Sequence, residues 1–311
     1  MEAIFNRIEQ WVSGLNKEAS KHIDIVKNIT IKLEKHVSNT ECLQENEIDT
    51  YVSDLISKYT VLAPVTVPLA SSMPLIRAVR YEETEGYGYD NVSRLSYIPS
   101  ESHITPKLGR LNKKGNSLFY ACLGEHTNSI DTMLLECRAE DGEIFNVLHC
   151  VTDTECSKTV HRFPPALYLV PIGINDYFRR DSLDPFGVNQ DYRDMYDFIH
   201  SIALPEISRA LHICDEFLTS ILAQPESGNL YEITSVIAEK CLQSEQIDGV
   251  LYPSTQSSAH PNVAIKTKSV DRKLIYGRAS SICVFKNAPN GSYHIENLGR
   301  GVIYSDRIEW R

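Results

Sequence analysis

The sequence lacks several features that would assign it to a particular class of protein. No segment approaches the ~18 apolar residues of a membrane-spanning helix, because the longest apolar run, residues 61–69, is interrupted by Pro64 and Pro68. The first residues have no basic segment followed by an apolar core, which predicts that there is no secretory signal. The eight cysteines are scattered without close pairs, as expected for reduced thiols in a cytoplasmic protein.

Positive charge is also scarce, with 31 Lys and Arg against 41 Asp and Glu and a net charge of −10. This balance argues against direct binding to nucleic acid or to an anionic membrane. The chain has 311 residues, of which 42% are hydrophobic and 23% charged, a globular composition that suits one large domain or two ordinary ones. A chain of this length buries enough surface to fold without a disulfide or a structural metal.

The common catalytic and metal-binding signatures are missing as well. There is no P-loop, and Gly86 and Gly88 lack the third glycine and the following helix of a dinucleotide-binding fingerprint. Cys150 and Cys156 have no second ligand pair at zinc spacing. We therefore predict no metal. A cysteine–histidine hydrolase built on Cys122 or Cys137 remains an alternative, although no local motif distinguishes either thiol.

Residues 1–66 are predicted to form a helical extension. Apolar residues recur there at the spacing of one helix face, as in Ile4, Ile8, Trp11 and Leu15 and again in Ile48, Val52, Leu55 and Tyr59. The simplest interpretation is two or three helices that pack on a neighbouring part of the chain. The alternative is an arm that forms a homo-oligomer or recruits a partner.

Residues 67–311 are predicted to form a second domain with a helical insertion near residues 185–245. Short apolar runs bounded by turn residues indicate strands, at residues 75–79, 117–122, 144–151, 166–170, 249–252 and 262–266. A hairpin is expected from residues 281–285 and 292–295 around Asn290-Gly291, and a short helix at residues 128–137. Since strands and helices do not alternate regularly, the order favours an α+β fold over a doubly wound parallel sheet.

Two segments stand out from the rest of the sequence by their residue types. The first contains Gly109-Arg110-Leu111-Asn112, then Tyr120 ten positions after the arginine, then Leu134-Leu135-Glu136-Cys137-Arg138. The second contains Tyr252-Pro253-Ser254, followed by Asn262. An arginine fork matches a pyrophosphate with two parallel hydrogen bonds, and tyrosine offers a flat ring face together with a hydroxyl group.

In their order and spacing these segments resemble the RES domain, a family named for its Arg, Glu and Ser. The segment from Leu75 to Arg80, which contains Arg77, is similar to the arginine-rich strand that opens this family. The resemblance covers residues 75–311 in separate blocks and leaves the N-terminal helices unexplained. It implies a mixed β-sheet core like that of ADP-ribosyltransferases.

The resemblance also implies an activity and roles for individual residues. The family is associated with cleavage of NAD+ or ADP-ribosyl transfer, often as the toxin of a toxin–antitoxin pair. By this resemblance Arg110 grips the diphosphate, Tyr120 packs on the nicotinamide, Glu136 stabilises the ribosyl cation and Ser254 hydrogen-bonds the dinucleotide. Further contacts to NAD+ are expected from Arg77, Tyr252 and Asn262.

One position departs from the family pattern. The family carboxylate commonly lies about 21 positions after the loop arginine, where this chain has Asp131. Glu136 is five positions further along, but the sequence around it fits the family better. We therefore favour Glu136 and keep Asp131 as the alternative.

The expected function is thus that of a cytoplasmic enzyme that consumes NAD+ as its substrate without a metal, as a growth-arresting toxin or a defence effector. Hydrolysis, phosphorolysis and ADP-ribosyl transfer to a protein differ only in what captures the ribose carbon, and the sequence does not separate them. The alternative of another class is a catalytically silent interaction module on the same fold. A helix-turn-helix antitoxin or another inhibitor protein is the expected macromolecular partner.

Overall fold

The computed structural model describes residues 2–60, 65–67, 74–124, 127–152, 167–173, 190–256, 261–287 and 292–311. Within these ranges, none of the helices combines the length and the apolar character that a membrane span requires. The described secondary structure mixes helices and strands, which confirms the α+β class.

The described helices are, in chain order, α1 Glu2–Asn16, α2 Ala19–Val37, α3 Glu45–Tyr59, α4 Thr127–Glu136, α5 Gln190–Ile202, α6 Pro205–Ala223, α7 Leu230–Cys241 and α8 Thr267–Lys273. The described strands are β1 Val65–Val67, β2 Leu75–Arg80, β3 Leu118–Leu123, β4 Glu143–Thr152, β5 Leu167–Pro171, β6 Gly249–Tyr252, β7 Asn262–Lys266, β8 Leu274–Asn287, β9 Ser292–Tyr304 and β10 Arg307–Trp310.

The contacts within the chain define two compact units, each built from separate segments. The first, which we call the helical unit, comprises Met1–Thr66, Leu108–Lys113 and Leu169–Tyr252. The second, the sheet unit, comprises Val67–Lys107, Lys114–Tyr168 and Pro253–Arg311.

In the helical unit α2 packs on α6, α3 on α7 and α1 on α5. The apolar residues that predicted α3 face inward, since Val52 and Leu55 are fully buried. β5 and β6 run parallel, with Val170 paired with Val250. A buried histidine in the last turn of α2 binds the segment that follows the helix: His36 Nδ1 accepts a hydrogen bond from Leu43 N at 3.1 Å.

The sheet unit contains antiparallel strands in the order β7-β3-β2-β4-β8-β9-β10. Side chains of directly paired residues lie on the same face of a sheet. One face therefore carries Asn262, Cys122 and Ile76, which pair across β7, β3 and β2.

Helix α4 covers part of this face. Its apolar residues Ile130, Met133 and Leu134 follow helical spacing and pack against Phe145 and Val147 of β4. Leu134 is fully buried, and burial of a leucine side chain contributes roughly 1.5–3 kcal/mol relative to exposure. The helix is therefore anchored on the sheet by the residues that predicted it.

Most of the predicted elements are confirmed, including the three N-terminal helices, strands β2 to β7 and helix α4. Helices α5 to α7 lie in the segment predicted as a helical insertion, from residue 190 onward, and residues 185–189 lie outside the described residues. The hairpin strands are confirmed as parts of β8 and β9, and the predicted turn at Asn290-Gly291 also lies outside them.

Candidate functional site

The C-terminal end of α4 fixes the position of Glu136. Arg138 takes a left-handed conformation with φ of 50°, Ala139 N donates to Leu134 O at 3.0 Å and Arg138 N donates to Leu135 O at 2.9 Å. These two bonds form a Schellman motif, which ends a helix in a defined geometry. Glu136 therefore lies in the last turn of a well-terminated helix.

The carboxylate of Glu136 accepts four hydrogen bonds from within the sheet unit. Ser254 Oγ donates to Oε1 at 2.6 Å, and Asn262 Nδ2 donates to the same oxygen at 2.9 Å. Thr255 donates from its backbone N to Oε1 at 2.9 Å and from its Oγ1 to Oε2 at 3.1 Å. Hydrogen bonds to a charged acceptor are about twice as strong as neutral ones. Four donors thus hold this half-buried side chain in one orientation.

The donors come from two segments that are close in sequence. Ser254 and Thr255 follow β6, and Ser254 is 6% exposed. Its hydroxyl oxygen also accepts from Gln256 N at 3.1 Å, which closes a tight turn. Asn262 is the first residue of β7 and is 4% exposed. The predicted Glu136, Ser254 and Asn262 are therefore brought together.

A buried thiol supports the asparagine. Cys122 pairs with Asn262 across β3 and β7, and its Sγ donates to Asn262 Oδ1 at 3.0 Å. Burial, followed by the nearby Glu136 charge, raises the pKa of Cys122 far above its usual range. The thiol therefore stays protonated and acts as a hydrogen-bond donor.

Asp131, the alternative carboxylate, lies elsewhere on the sheet unit. Its carboxylate accepts a hydrogen bond from the backbone N of Tyr293 on β9, and burial raises its pKa. β9 and β7 are separated by four strands in the sheet order. The two carboxylates of α4 thus bind opposite parts of the sheet, and only Glu136 meets Ser254 and Asn262.

Tyr120 and Arg77 are both in the sheet unit but on different faces. Tyr120 is two residues before Cys122 on β3 and shares its face, on which Asn262 also lies. Arg77 follows Ile76 on β2 and therefore points to the opposite face. There its Nη1 donates to Tyr120 O at 2.9 Å and its Nε to Leu95 O at 3.0 Å. The side chain of Arg77 is not brought together with that of Glu136.

Arg110 belongs to the helical unit, where it binds the end of α6. Its Nη1 donates to Leu222 O at 2.9 Å and to Gln224 O at 3.0 Å. Its guanidinium also lies 5.6 Å from the ring centroid of Tyr231. A cation at the last carbonyls of a helix is favoured by the helix dipole. Part of the guanidinium thus has a structural partner, while Nε and Nη2 have no hydrogen-bond partner among the described residues.

Tyr252, the remaining predicted contact, ends β6 in the helical unit and is 5% exposed.

Sequence reasoning did not place two members in the Glu136 cluster: Thr255 was not considered, and Cys122 was considered only as the nucleophile of a hydrolase. Thr255 supplies two of the four donors, and Cys122 orients Asn262. Thr255 directly follows the predicted site residue Ser254, and this position could have identified it as a further donor. For Cys122 no sequence signal existed, because its partner lies 140 residues away.

Among the described residues, no group of three or more His, Cys, Asp or Glu side chains is placed to hold a metal ion. Comparisons with known proteins give no further assignment, since no family model, no curated protein and no solved structure matches this chain.

Proposed function

We propose that this protein cleaves the nicotinamide–ribose bond of NAD+, with Glu136 as the catalytic carboxylate. The observation that carries the proposal is the convergence of Ser254, Thr255 and Asn262 on Glu136. Three of these four residues are the ones for which the resemblance to the RES domain implies contacts with the dinucleotide. Two of them, Ser254 and Asn262, lie 118 and 126 residues from Glu136 along the chain.

The hydrogen bonds leave the two carboxylate oxygens in different situations. Among the described residues, Oε1 accepts from three donors, whereas Oε2 accepts from Thr255 Oγ1 alone. A carboxylate oxygen has about two lone-pair sites, so Oε2 retains capacity for a ligand. Loss of nicotinamide produces an oxocarbenium-like ribosyl group, and a fixed negative charge beside it lowers the barrier. Oε2 is the atom that we assign to this role.

The other residues supply binding rather than charge stabilisation at the ribose carbon. Tyr120, on the same sheet face as Asn262, offers a ring that can pack on nicotinamide. In the helical unit, Arg110 keeps Nε and Nη2 for a diphosphate while Nη1 holds α6. Arg77 acts on Tyr120 only through the backbone carbonyl, so we assign it a positioning role in place of a direct contact.

The test is incubation of purified protein with NAD+ and measurement of released nicotinamide, with and without a chelator. We expect release in both cases. NAD+ labelled in its adenosine part distinguishes the products, since free ADP-ribose indicates hydrolysis, ADP-ribose 1-phosphate indicates phosphorolysis, and labelled protein indicates transfer. Absence of nicotinamide release by well-folded protein under all these conditions would exclude the proposal in favour of an interaction module.

If the enzyme depletes cellular NAD+, its expression in a bacterial host should slow growth and lower the NAD+ content. The Glu136→Gln protein, expressed at the same level, should do neither. Relief of both effects by a small helix-turn-helix protein encoded beside this chain would identify an antitoxin.

A further inference from the structure

One end of the sheet unit carries a cluster of exposed arginines. Arg300 on β9 pairs with Ser280 on β8, and Arg278 is two residues from Ser280 on the same strand. Both arginines therefore share one face of the sheet. Arg307 and Arg311, at the start of β10 and just after it, extend this face. We call these four residues, which are all exposed, the arginine face.

Two members of the arginine face are held directly opposite each other. Arg300 and Arg311 exchange backbone hydrogen bonds of 3.0 and 2.9 Å, and residues paired in this way have Cα atoms about 5.5 Å apart. Like charges directly opposite each other in a sheet are destabilising. Glu309 is the one acidic residue of β10 on this face, and none of the four arginines has an acidic partner within 4.0 Å among the described residues. The repulsion is therefore left uncompensated within the described part of the chain.

An acidic loop lies on the opposite face of the same strands. We give this name to residues 82–90, in which Glu82, Glu83, Glu85 and Asp90 are exposed. Glu83 is 4.0 Å from Arg94, whereas the other three have no basic partner within 4.0 Å among the described residues.

Aromatic contacts hold the acidic loop in place. The ring of Tyr87 lies edge-on to Trp310, with centroids 6.0 Å apart, and Trp310 Nε1 donates to Tyr89 O at 3.1 Å. Asn146 Oδ1 accepts from Tyr89 N at 2.8 Å. Trp310 ends β10 and directly precedes Arg311, so its side chain points away from the arginine face.

We propose that the arginine face of one molecule binds the acidic loop of a second copy, so that molecules associate head to tail. The two surfaces have opposite charge. Asn91, just after the acidic loop, pairs with Arg307, but the loop and the arginine side chains lie on opposite faces of the sheet, and no ion pair joins them among the described residues. The arginine face has four positive charges against Glu309, and the acidic loop has four negative charges against Arg94. A guanidinium also matches a carboxylate with two parallel hydrogen bonds.

The geometry sets the kind of assembly. Because the contact uses two different surfaces of each molecule, it is heterologous, and each added copy exposes a new binding surface. The assembly is therefore a ring or an open chain and does not stop at a symmetric dimer.

Salt should affect the association in two opposing ways. The net charge of −10 repels two copies at long range, and this repulsion is screened at about 0.1 M salt, where the Debye length is about 10 Å. The short-range ion pairs persist there and weaken toward about 1 M, where the Debye length is about 3 Å. We expect assembly to be greatest near about 0.1 M and lower at both extremes.

Sedimentation velocity of the full chain over a range of protein concentrations tests the proposal. We expect species larger than a dimer at about 0.1 M salt. A face variant, Arg300→Gln with Arg307→Gln and Arg311→Gln, should be monomeric, as should a loop variant, Glu82→Gln with Glu85→Gln and Asp90→Asn. Mixed together, the two variants retain one intact surface each and should form a one-to-one dimer that does not grow.

The control variant, Arg7→Gln with Arg209→Gln, removes two exposed arginines of the helical unit and should assemble like the unmodified protein. Three results would overturn the proposal: a monomer at all salt concentrations, equal loss of assembly in the control, or a mixture that yields no dimer. Binding of the arginine face to an oligonucleotide, with no self-association, would likewise replace it with a nucleic-acid surface. None of these outcomes depends on NAD+ cleavage.

Discussion

Cys122 and Asn262 form a hydrogen bond between adjacent strands that determines which way the asparagine amide points. Cys122 Sγ donates to Asn262 Oδ1 at 3.0 Å, and the other end of the amide, Nδ2, donates to Glu136 Oε1 at 2.9 Å. Because both side chains are almost fully buried, an inverted amide would place two donors together at the thiol and two acceptors together at the carboxylate. The thiol thus orients Glu136, the proposed catalytic carboxylate, through an intermediate residue.

We predict that Cys122→Ala destabilises the protein by about 1–3 kcal/mol, the cost of a buried polar group left without its partner, and slows nicotinamide release. Cys122→Ser should retain most of both properties, because its hydroxyl also donates to Asn262. Urea unfolding and steady-state kinetics provide the measurements.

The matched control for this prediction is Cys150→Ala, which removes another fully buried strand thiol. It creates a similar cavity away from Asn262 and should leave the kinetics unchanged. A Cys122→Ser protein as impaired as Cys122→Ala would refute the orienting role.

The two carboxylates of α4 should respond differently to neutralisation. Glu136→Gln can keep its carbonyl oxygen toward Ser254 and Asn262 and donate its amide to Thr255 Oγ1, so the fold should survive. The negative charge is lost, and NAD+ cleavage should be abolished. Asp131→Asn should retain turnover, because Asp131 binds Tyr293 on β9.

Nicotinamide release and circular dichroism of both variants check this prediction. The reverse pattern, an active Glu136→Gln protein and an inactive but folded Asp131→Asn protein, would move the catalytic role to Asp131.

Arg110 combines a structural and a proposed binding role, and substitutions can separate them. Arg110→Ala removes the two bonds to Leu222 O and Gln224 O, so we expect a loss of about 1–3 kcal/mol in stability together with loss of activity. Arg110→Lys keeps a positive charge at the end of α6 but lacks the planar fork. We therefore expect it to remain stable while its KM for NAD+ rises about tenfold or more.

Thermal unfolding together with steady-state kinetics distinguishes the two roles. Thr234→Val is the control for effects that do not involve the Arg110 side chain. It removes the hydrogen bond that Thr234 Oγ1 donates to the Arg110 backbone carbonyl and leaves the bonds of the guanidinium in place. An Arg110→Lys protein with an unchanged KM would exclude the diphosphate contact.

Periodicity predicted the elements whose apolar residues face a single core. Helix α3 belongs to this class, since its buried residues recur at the spacing of one helix face. The pattern failed for the outer strands. β8 begins at Leu274, seven residues before the predicted start, and β10 was not predicted. The first residues of β8 are interrupted by Gly277 and Arg278, and β10 has only four residues, so neither segment offers a run of alternating apolar residues. Pairing with neighbouring strands makes them extended.

The site was predictable to the extent that it lies in local motifs. Glu136, Ser254 and Asn262 were identified from short blocks, and the fold brings Ser254 and Asn262 within hydrogen-bond distance of Glu136. The placement of Arg77 could not be anticipated, because a single position along β2 decides which face of the sheet a side chain occupies.

The last prediction concerns pH. His149 on β4 is half-buried beside Ser280, with 3.1 Å between Nε2 and Oγ. Burial, and then the positive charge of Arg278, lower its pKa from 6.5 to about 4. The folded protein thus keeps His149 neutral at a pH where the unfolded chain protonates it, and stability is lost as the pH falls from 6.5 toward 4. At pH about 4.5 the loss should be roughly 2–3 kcal/mol.

Urea unfolding at pH about 7 and about 4.5 measures this loss, and the test is the difference between variants, since carboxylates also contribute to acid unfolding. His149→Gln retains a partner for Ser280 but does not titrate. On acidification its free energy of unfolding should therefore decrease less than that of the unmodified protein, by a difference of roughly 2–3 kcal/mol. His294→Gln, at an exposed position on β9, should behave like the unmodified protein. Arg278→Gln should reduce the loss in part, because burial is the larger cause of the lowered pKa. Equal acid sensitivity of the unmodified and His149→Gln proteins would show that His149 is not held neutral by the fold.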